Sequence, residues 1–300
     1  MSPKALIESF IEDELQPELN DIDYGSHSSE YGLIDDLSSF SPDPVWDRGA
    51  EITTETYKLH GSPNIDYSLP NGVNVRKEIA DVLFDAEALL PRGPNQRRGF
   101  LAQAKFDLDG TSWDVDSSQF HFIHNLPVFV FSCPKTAASF NLEPKYTTTD
   151  DDVYTGNTFA TGLFGTQDRI PFLLRTERIL EGISGVEGSM DLRFKRSAED
   201  DPEQESFTLT EFGYPTSYDD LDTVLGNFLK GKYGRRVNPD SELERFMDHM
   251  ETIATTSDYS SIKNPDLCTD GGIPEGNGFV YIKFRIDARE TNVGEGERIL

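Results

Sequence analysis

The chain has 300 residues, of which 54 are Asp or Glu and 27 are Lys or Arg, so its formal net charge at pH 7 is -27. Hydrophobic residues make up 36% and include 20 Phe, which is enough apolar side chain for a core and excludes an intrinsically disordered chain. Two cysteines, Cys133 and Cys268, exclude a disulfide framework and a Cys-x-x-Cys metal site.

The acidic residues are spread along the chain and are not gathered in one tail. Acids interleaved with core residues indicate a surface that stays hydrated in concentrated salt, so we expect a halophilic cytoplasmic protein. A DNA-mimicking protein and a surface for basic partners are the alternatives. No window approaches the ~20 apolar residues that cross a bilayer, and no signal peptide is recognisable, so we expect no membrane segment.

The first 45 residues are predicted to be helical. Ser2 and Pro3 are an N-cap followed by proline at the first helical position, and apolar residues recur at helical spacing up to Leu15. A second helical pattern covers 31–40. We therefore expect a helical N-terminal segment, 1–45.

A β-hairpin is predicted in the next part of the chain. Alternation from Glu51 to His60 indicates a half-buried strand, and the apolar run inside 75–90 indicates a strand buried on both faces. The turn residues of 91–95 separate it from a strand over 99–106. These last two strands should pair antiparallel.

Further along, 117–125 and 240–255 read as helices, as does 218–233, while 127–132 and 278–286 read as strands. The polar composition of 197–206 is that of an acidic linker or loop. We expect an α/β (α+β) fold with a mixed sheet flanked by helices. Its domains are predicted as a core over 46–196, the linker 197–206, and C-terminal helices plus a strand over 207–300.

Three polar residues fall on the predicted hairpin. Asp81 lies inside one apolar strand, and Gln103 and Lys105 lie two residues apart on the next, so both point to one face of the sheet. An acid, an amide and an amine in an apolar setting are costly unless each has a partner such as a metal ion, water or one another. That cost predicts a site.

The same residues carry a resemblance to a known family. A strand with DVLFDAE, a turn, a strand with GFLAQAKFD, then a helix and an apolar strand resemble the PD-(D/E)XK nuclease superfamily, above all its Mrr-type restriction endonuclease branch, over residues 51–133. The resemblance implies a restriction-endonuclease-like fold and Mg²⁺-dependent hydrolysis of DNA, in defence or restriction. Asp81 and Gln103 would bind the metal ion, and Lys105 would position the attacking water or stabilise charge.

The resemblance also implies further site residues. Family members often add an upstream glutamate, for which Glu78 is the first candidate and Glu55 the second, and a polar residue on the following helix, for which Gln119 is the match. Mg²⁺ prefers oxygen ligands and lowers the pKa of bound water. A neutral glutamine weakens such a site.

Two basic clusters stand out in the acidic chain. Arg92, Arg97 and Arg98 lie at the hairpin turn, where they could bind DNA phosphates or be ordinary solvated residues. The second cluster lies around Gly231 and Gly234 and has four members: Lys230, Lys232, Arg235 and Arg236. We interpret it as a helix C-terminus, where cations complement the helix dipole.

Two alternatives to a nuclease remain. One is a catalytically inactive nuclease-fold protein that binds or assembles with partners; the other is an unrelated fold in which Lys105 forms a structural ion pair. Weaker patterns, the acids near Asp107 and the pair His121 and His124, lack the spacing of a metal site. A homodimer is a further hypothesis.

Overall fold

A mixed β-sheet forms the centre of the molecule. The computed structural model describes residues 2–24, 29–60, 63–69, 71–107, 113–132, 138–142, 160–166, 169–175, 179, 192–196, 206–212, 218–256, 278–291 and 299–300. Within these residues, nine strands form the main sheet, and two smaller sheets have three and four strands. The predicted mixed sheet with flanking helices is therefore confirmed.

The helices are α1 (Pro3–Phe10), α2 (Gln16–Asp21), α3 (Glu30–Ser38), α4 (Ser117–Asn125), α5 (Leu221–Leu229) and α6 (Glu242–Thr255), with a π-helical stretch, Ile11–Leu15, between α1 and α2. The strands are β1 (Val45–Asp47), β2 (Ala50–His60), β3 (Asn64–Ser68), β4 (Asn74–Glu78), β5 (Val82–Leu89), β6 (Gln96–Phe106), β7 (Trp113–Asp116), β8 (Phe129–Phe131), β9 (Ser139–Phe140), β10 (Ala160–Thr166), β11 (Arg169–Arg175), β12 (Leu192–Arg196), β13 (Ser206–Phe212), β14 (Tyr218–Asp220), β15 (Arg235–Val237) and β16 (Gly278–Asp287).

The main sheet has the order β1-β2-β16-β5-β6-β10-β11-β14, and β15 pairs with the first half of β6. Strand β5 pairs antiparallel with β6 as the predicted hairpin, and β6 pairs parallel with β10. Because parallel neighbours need a crossover, the chain between β6 and β10 passes through α4. The smaller sheets are β12-β13-β7 and β4-β3-β8-β9.

Two apolar cores cover the two faces of the main sheet. One packs the N-terminal helices and α5 against alternate residues of β5 and β6, such as Phe84 and Phe100. The other packs α4, α6 and residues of the smaller sheets against the opposite alternation, which includes Leu83 and Leu101. Since side chains alternate along a strand, Asp81, Gln103 and Lys105 belong to this second face.

The N-terminal helix begins as predicted. The Ser2 side chain accepts a hydrogen bond from the Ala5 amide at 3.3 Å, and Pro3 is the first helical residue. Phe10 packs edge-on against Phe284 of β16, with 6.4 Å between ring centroids. The predicted helical segment thus covers one face of the sheet.

The strand predicted within 127–132 is present as β8 and pairs with β3. Two predicted elements differ in the structure. The stretch 75–90 is broken between β4 and β5, because β4 leaves the main sheet to pair with β3. The predicted helix 218–233 starts as a strand and is helical only from Leu221. Of the predicted linker, 197–205 lies outside the described residues, and Ser206 begins β13.

Strand β16 is the largest difference in arrangement. Predicted as part of a C-terminal extension, it lies inside the main sheet, antiparallel to β2 and parallel to β5. Seven of its ten residues are buried in an unbroken run from Gly278 to Phe284, as expected for a strand covered on both faces. The strand over 278–287 therefore completes the fold.

Candidate functional site

The hairpin of β5 and β6 brings Asp81 and Gln103 together. Val82 is opposite Ala102, so Asp81, one residue earlier, lies opposite Gln103. The Gln103 Nε2 donates a hydrogen bond to Oδ2 of Asp81, and the Ala104 amide donates to the same oxygen at 2.7 Å. The predicted meeting of these two residues is confirmed.

Asp81 is a buried carboxyl group with an altered acidity. Its residue is 7% exposed, and burial raises the pKa of its carboxyl well above the usual value. The nearby cation of Lys105 opposes this rise in pKa, whereas the negative charges of Glu78 and Glu30 add to it. A further positive charge beside this carboxyl group would strongly stabilise its ionised form.

Gln103 has one polar atom with no partner. The residue is 2% exposed, and its Oε1 is buried without a hydrogen bond in the described structure. If the amide is turned over, Nε2 becomes the atom without a partner, because only one end of the amide faces Asp81. A buried polar atom left unpaired costs about 1–3 kcal/mol. The amide oxygen of Gln103 is therefore available as a metal ligand near the Asp81 carboxyl group.

Lys105 is held as a cation by a residue that sequence reasoning missed. Its Nζ donates to Oε1 of Glu30, at the start of α3, at 2.9 Å. Burial alone would lower the pKa of Lys105, but the charges of Glu30 and Asp81 outweigh it and raise the pKa. A lysine that stays protonated donates hydrogen bonds and does not accept a proton. An acid in the first turn of a helix is ordinary in sequence, so nothing marked Glu30 in advance.

The N-terminus of α4 approaches the same site. Asp116 caps this helix by accepting from the amides of Ser118 and Gln119 at 2.9 and 3.3 Å, and its Oδ2 binds Nζ of Lys77 at 2.7 Å. The Asp116 charge is close enough to contribute to the raised pKa of Lys105. Gln119 is 7% exposed in the first turn of α4, and no hydrogen bond of its side chain to Asp81, Gln103 or Lys105 occurs among the described residues.

The two candidate glutamates are placed differently. Glu78 ends β4, three residues before Asp81, and is near enough to raise the pKa of Asp81. Glu55 lies in β2 and pairs with Lys283 of β16. Lys283 in turn pairs with Asp85 of β5. Glu55 is thus separated from the site by a whole strand and by four residues along β5. The structure brings Glu78 to the site and not Glu55.

The arginines predicted to contact DNA lie away from Asp81. Arg97 binds Asp85, which is fully buried, with 2.6 Å between its Nη2 and Oδ2 of Asp85, and it also binds Asp248 and Glu251 of α6. Arg98 donates to the carbonyl of Gly234 at 2.7 Å. These guanidinium groups are already bound to carboxylates and a carbonyl within the fold, so we do not retain them as phosphate contacts.

Arg92 is exposed but distant. It lies in the turn after β5, eleven residues from Asp81, of which the eight strand residues alone span about 26 Å. A phosphate bound at Asp81 is out of its reach.

The ligands available at Asp81 suit a small divalent cation only in part. Asp81 and Gln103 offer a carboxylate and an amide oxygen, the hard ligands that Mg²⁺ accepts, and Mg²⁺ usually keeps several waters. Within the part of the chain that is described, no three His, Cys, Asp or Glu side chains are grouped as a metal site. The residues present therefore fit a weakly held, water-rich cation.

Comparison of the chain with family models, with curated proteins and with solved structures finds no match. No helix among the described residues is long and apolar enough to cross a membrane.

Proposed function

We propose that the protein is a metal-dependent nuclease related to the PD-(D/E)XK superfamily, which hydrolyses phosphodiester bonds in DNA. The observation that carries the proposal is the buried, unpartnered Oε1 of Gln103 beside the Asp81 carboxyl group, with Lys105 on the same face. The order β5, β6 and α4 further supports it, because a hairpin followed by a helix is what the resemblance implied; the apolar strand that followed in the resemblance, β8, lies in another sheet beside β3.

Each residue then has a distinct task. Asp81 and Gln103 would hold the cation through oxygen atoms, and the raised pKa of Asp81 means that its proton must leave first. When bound, Mg²⁺ polarises the phosphate and lowers the pKa of water. Lys105 donates to the phosphate oxygens and stabilises the charge that develops on them. Of its two expected roles, charge stabilisation is favoured because its raised pKa keeps it protonated.

Glu30 positions Lys105. With 10% of its side chain exposed, Lys105 is held by a carboxylate that is itself 41% exposed. A partner that reaches solvent can move aside when a phosphate arrives, whereas a buried partner cannot. We assign Glu30 to hold the ammonium group near the site between turnovers.

The test is cleavage of plasmid, linear and single-stranded DNA in concentrated KCl with Mg²⁺ or Mn²⁺. Wild type should cut, Lys105→Met should cut about 10²–10³-fold more slowly through the loss of one charge-stabilising donor, and Asp81→Asn should not cut. Asp43→Asn and Lys4→Met change exposed residues of the same types and should leave the rate unchanged. Equal cutting by wild type and Asp81→Asn contradicts the proposal.

A catalytically inactive binding protein is the second candidate, and the closed Lys105–Glu30 pair favours it. It predicts no cleavage with either metal ion and DNA binding that EDTA leaves unchanged.

A further inference from the structure

An exposed tryptophan lies at the edge of the main sheet. Trp46 is the middle residue of β1 and is 72% exposed, more than any other large hydrophobic residue that the structure describes. Val45 packs against the core on one face of the sheet, so the alternation of the strand directs Trp46 to the other face. Within the described residues, no ring contact, hydrogen bond or cation–π contact of the indole occurs. The face of the ring is therefore free to contact a ligand.

The backbone that carries Trp46 is fixed. The strands β1 and β2 are joined by a two-residue turn, Arg48 and Gly49, with φ of +47° and +85°, as is typical of a tight hairpin. A Cβ on Gly49 would lie 2.9 Å from the Cβ of Glu290 and 3.2 Å from its carbonyl oxygen. The hairpin thus packs closely on the segment that follows β16, and the tryptophan stands on a rigid support.

Trp46 is part of the wall of a cavity of about 730 Å³. It lies directly opposite Glu51 of β2, which lies directly opposite Asp287 of β16, so the three side chains form one row on one face of the sheet. The Cβ atoms of such neighbours are about 4.5–5.5 Å apart. The hairpin turn and residues 289–290 complete the lining. The volume is that of a small-molecule pocket, about 300–1,000 Å³.

The two arginines of the cavity are already paired. Nε of Arg289 donates to the two carboxylate oxygens of Asp287 at 3.0 and 3.1 Å. Nε of Arg48 lies 4.0 Å from Oδ1 of Asp47. An anionic ligand would have to compete with a carboxylate for each guanidinium group, so the cavity does not favour an anion.

Two further carboxylates are left over. Glu51 and Glu290 line the same cavity, and no hydrogen bond or ion pair of their side chains occurs in the part of the chain that is described. With Asp47 and Asp287, the lining has four acids against two arginines. An aromatic face beside uncompensated carboxylates attracts an organic cation, both through the ring quadrupole and through the negative charge.

Among organic cations, a guanidinium group fits this arrangement best. It is planar and stacks on an aromatic face, and its N–H groups form a fork that binds a carboxylate through two hydrogen bonds. Because Glu51 is directly opposite Trp46, one guanidinium group can make both contacts. A quaternary ammonium group has no N–H to donate, and the ammonium group of lysine is a point charge without a plane to stack.

We propose that the cavity beside Trp46 binds a ligand with a guanidinium group, whose plane stacks on the indole and whose N–H groups donate to Glu51 and Glu290. A free arginine-like molecule and an arginine side chain of another protein supply the same chemistry. Glu51 lies eight residues along β2 from Leu59, which shares a row with Asp81, and this separation is about 26 Å. The inference is therefore independent of the proposed nuclease function.

Binding is measured on the whole chain in about 0.5 M KCl, which screens long-range charge. The probe is N-acetyl-argininamide, and the control probe is N-acetyl-citrullinamide, which has nearly the same shape without the charge. The titration is followed by tryptophan fluorescence, to which Trp46 supplies the change because Trp113 is only 1% exposed. Calorimetry gives the affinity independently and serves for variants that lack Trp46.

Three variants separate the contacts. Trp46→Leu should weaken binding about 2–5-fold through the loss of one exposed cation–π contact. Glu51→Gln/Glu290→Gln should weaken it about 2–30-fold, because two exposed ion pairs are lost. The matched control, Glu8→Gln/Glu12→Gln, removes the same charge from exposed positions of the N-terminal helices and should leave the affinity unchanged. Thermal unfolding checks that every variant folds.

A short peptide with one arginine between glycines distinguishes the two sources of the ligand. Equal affinity for the peptide and for N-acetyl-argininamide supports a small-molecule site, whereas tighter binding of the peptide supports a partner protein. Three results overturn the proposal. One is no saturable binding of either arginine probe, and another is equal binding of the citrulline probe, which would show that charge is not recognised. The third is an equal loss of affinity in the control variant, which would make net charge the cause.

Discussion

Replacement of Arg97 by methionine should destabilise the protein strongly. The change removes the guanidinium that contacts Asp85 through three hydrogen bonds of 2.6 to 3.1 Å, and Asp85 is fully buried. The carboxylate keeps only the Tyr281 hydroxyl, at 2.5 Å, among the partners described for it. A buried charge that loses its partner costs about 3–5 kcal/mol. At about 2–4 °C per kcal/mol, Tm should fall by roughly 6–20 °C.

The assay is urea unfolding at fixed KCl, followed by the fluorescence of the buried Trp113. Arg92→Met, in the exposed hairpin turn, is the matched control and should change stability by less than about 0.5 kcal/mol. The double variant Asp85→Leu/Arg97→Met should be more stable than Arg97→Met alone, because the stranded charge is then gone. If the double variant loses the sum of both single losses, the two residues are not coupled and the reasoning is refuted.

Other changes test the candidate site and the turn after α5. Burial holds the pKa of Asp81 above its unfolded value, so the stability it contributes is present below the unfolded pKa and is lost as pH rises through the folded pKa. Asp81→Asn should therefore gain in Tm over wild type as pH rises from about 4, and a pH-independent difference contradicts this. Gln103→Glu adds a second carboxylate beside Asp81, so in EDTA it should lower Tm. Adding Mg²⁺ should raise the Tm of this variant more than the Tm of wild type. Equal increases in Tm would argue against a cation site. Gly231→Ala should lower the free energy of unfolding in urea more than Gly93→Ala does. Both glycines have positive φ, which costs about 1–2 kcal/mol for alanine, but only the Cβ on Gly231 would collide with a neighbour, Leu300. Equal losses of stability would show that Leu300 moves aside without cost.

The local elements of the fold could be predicted from sequence, and so could part of the site. The hairpin followed from an apolar run, a turn and a second apolar run, and the two-residue spacing of Gln103 and Lys105 fixed their common face. These are local properties, set by side-chain alternation and turn residues. A hairpin could also be expected to bring Asp81 near them, whereas its position opposite Gln103 is set by the strand register.

The remainder depends on contacts between distant parts of the chain. Glu30 reaches Lys105 across 75 residues, and Asp248 and Glu251 reach Arg97 across more than 150. An arginine near a hairpin turn looks the same in sequence whether its partner is phosphate or a buried Asp85. Only the packing of α6 on the sheet distinguishes the two.

The position of β16 has a consequence for synthesis. Strands β2 and β5 are synthesised long before residues 278–287, yet one edge of each strand pairs with those residues in the folded protein. A nascent chain that has not yet released those residues from the ribosome exposes two strand edges whose unpaired N–H and C=O groups can bind to any neighbouring strand. Protein fragments ending before Gly278 should accumulate as aggregates, and expression strategies that split the chain must keep β16 with β2 and β5.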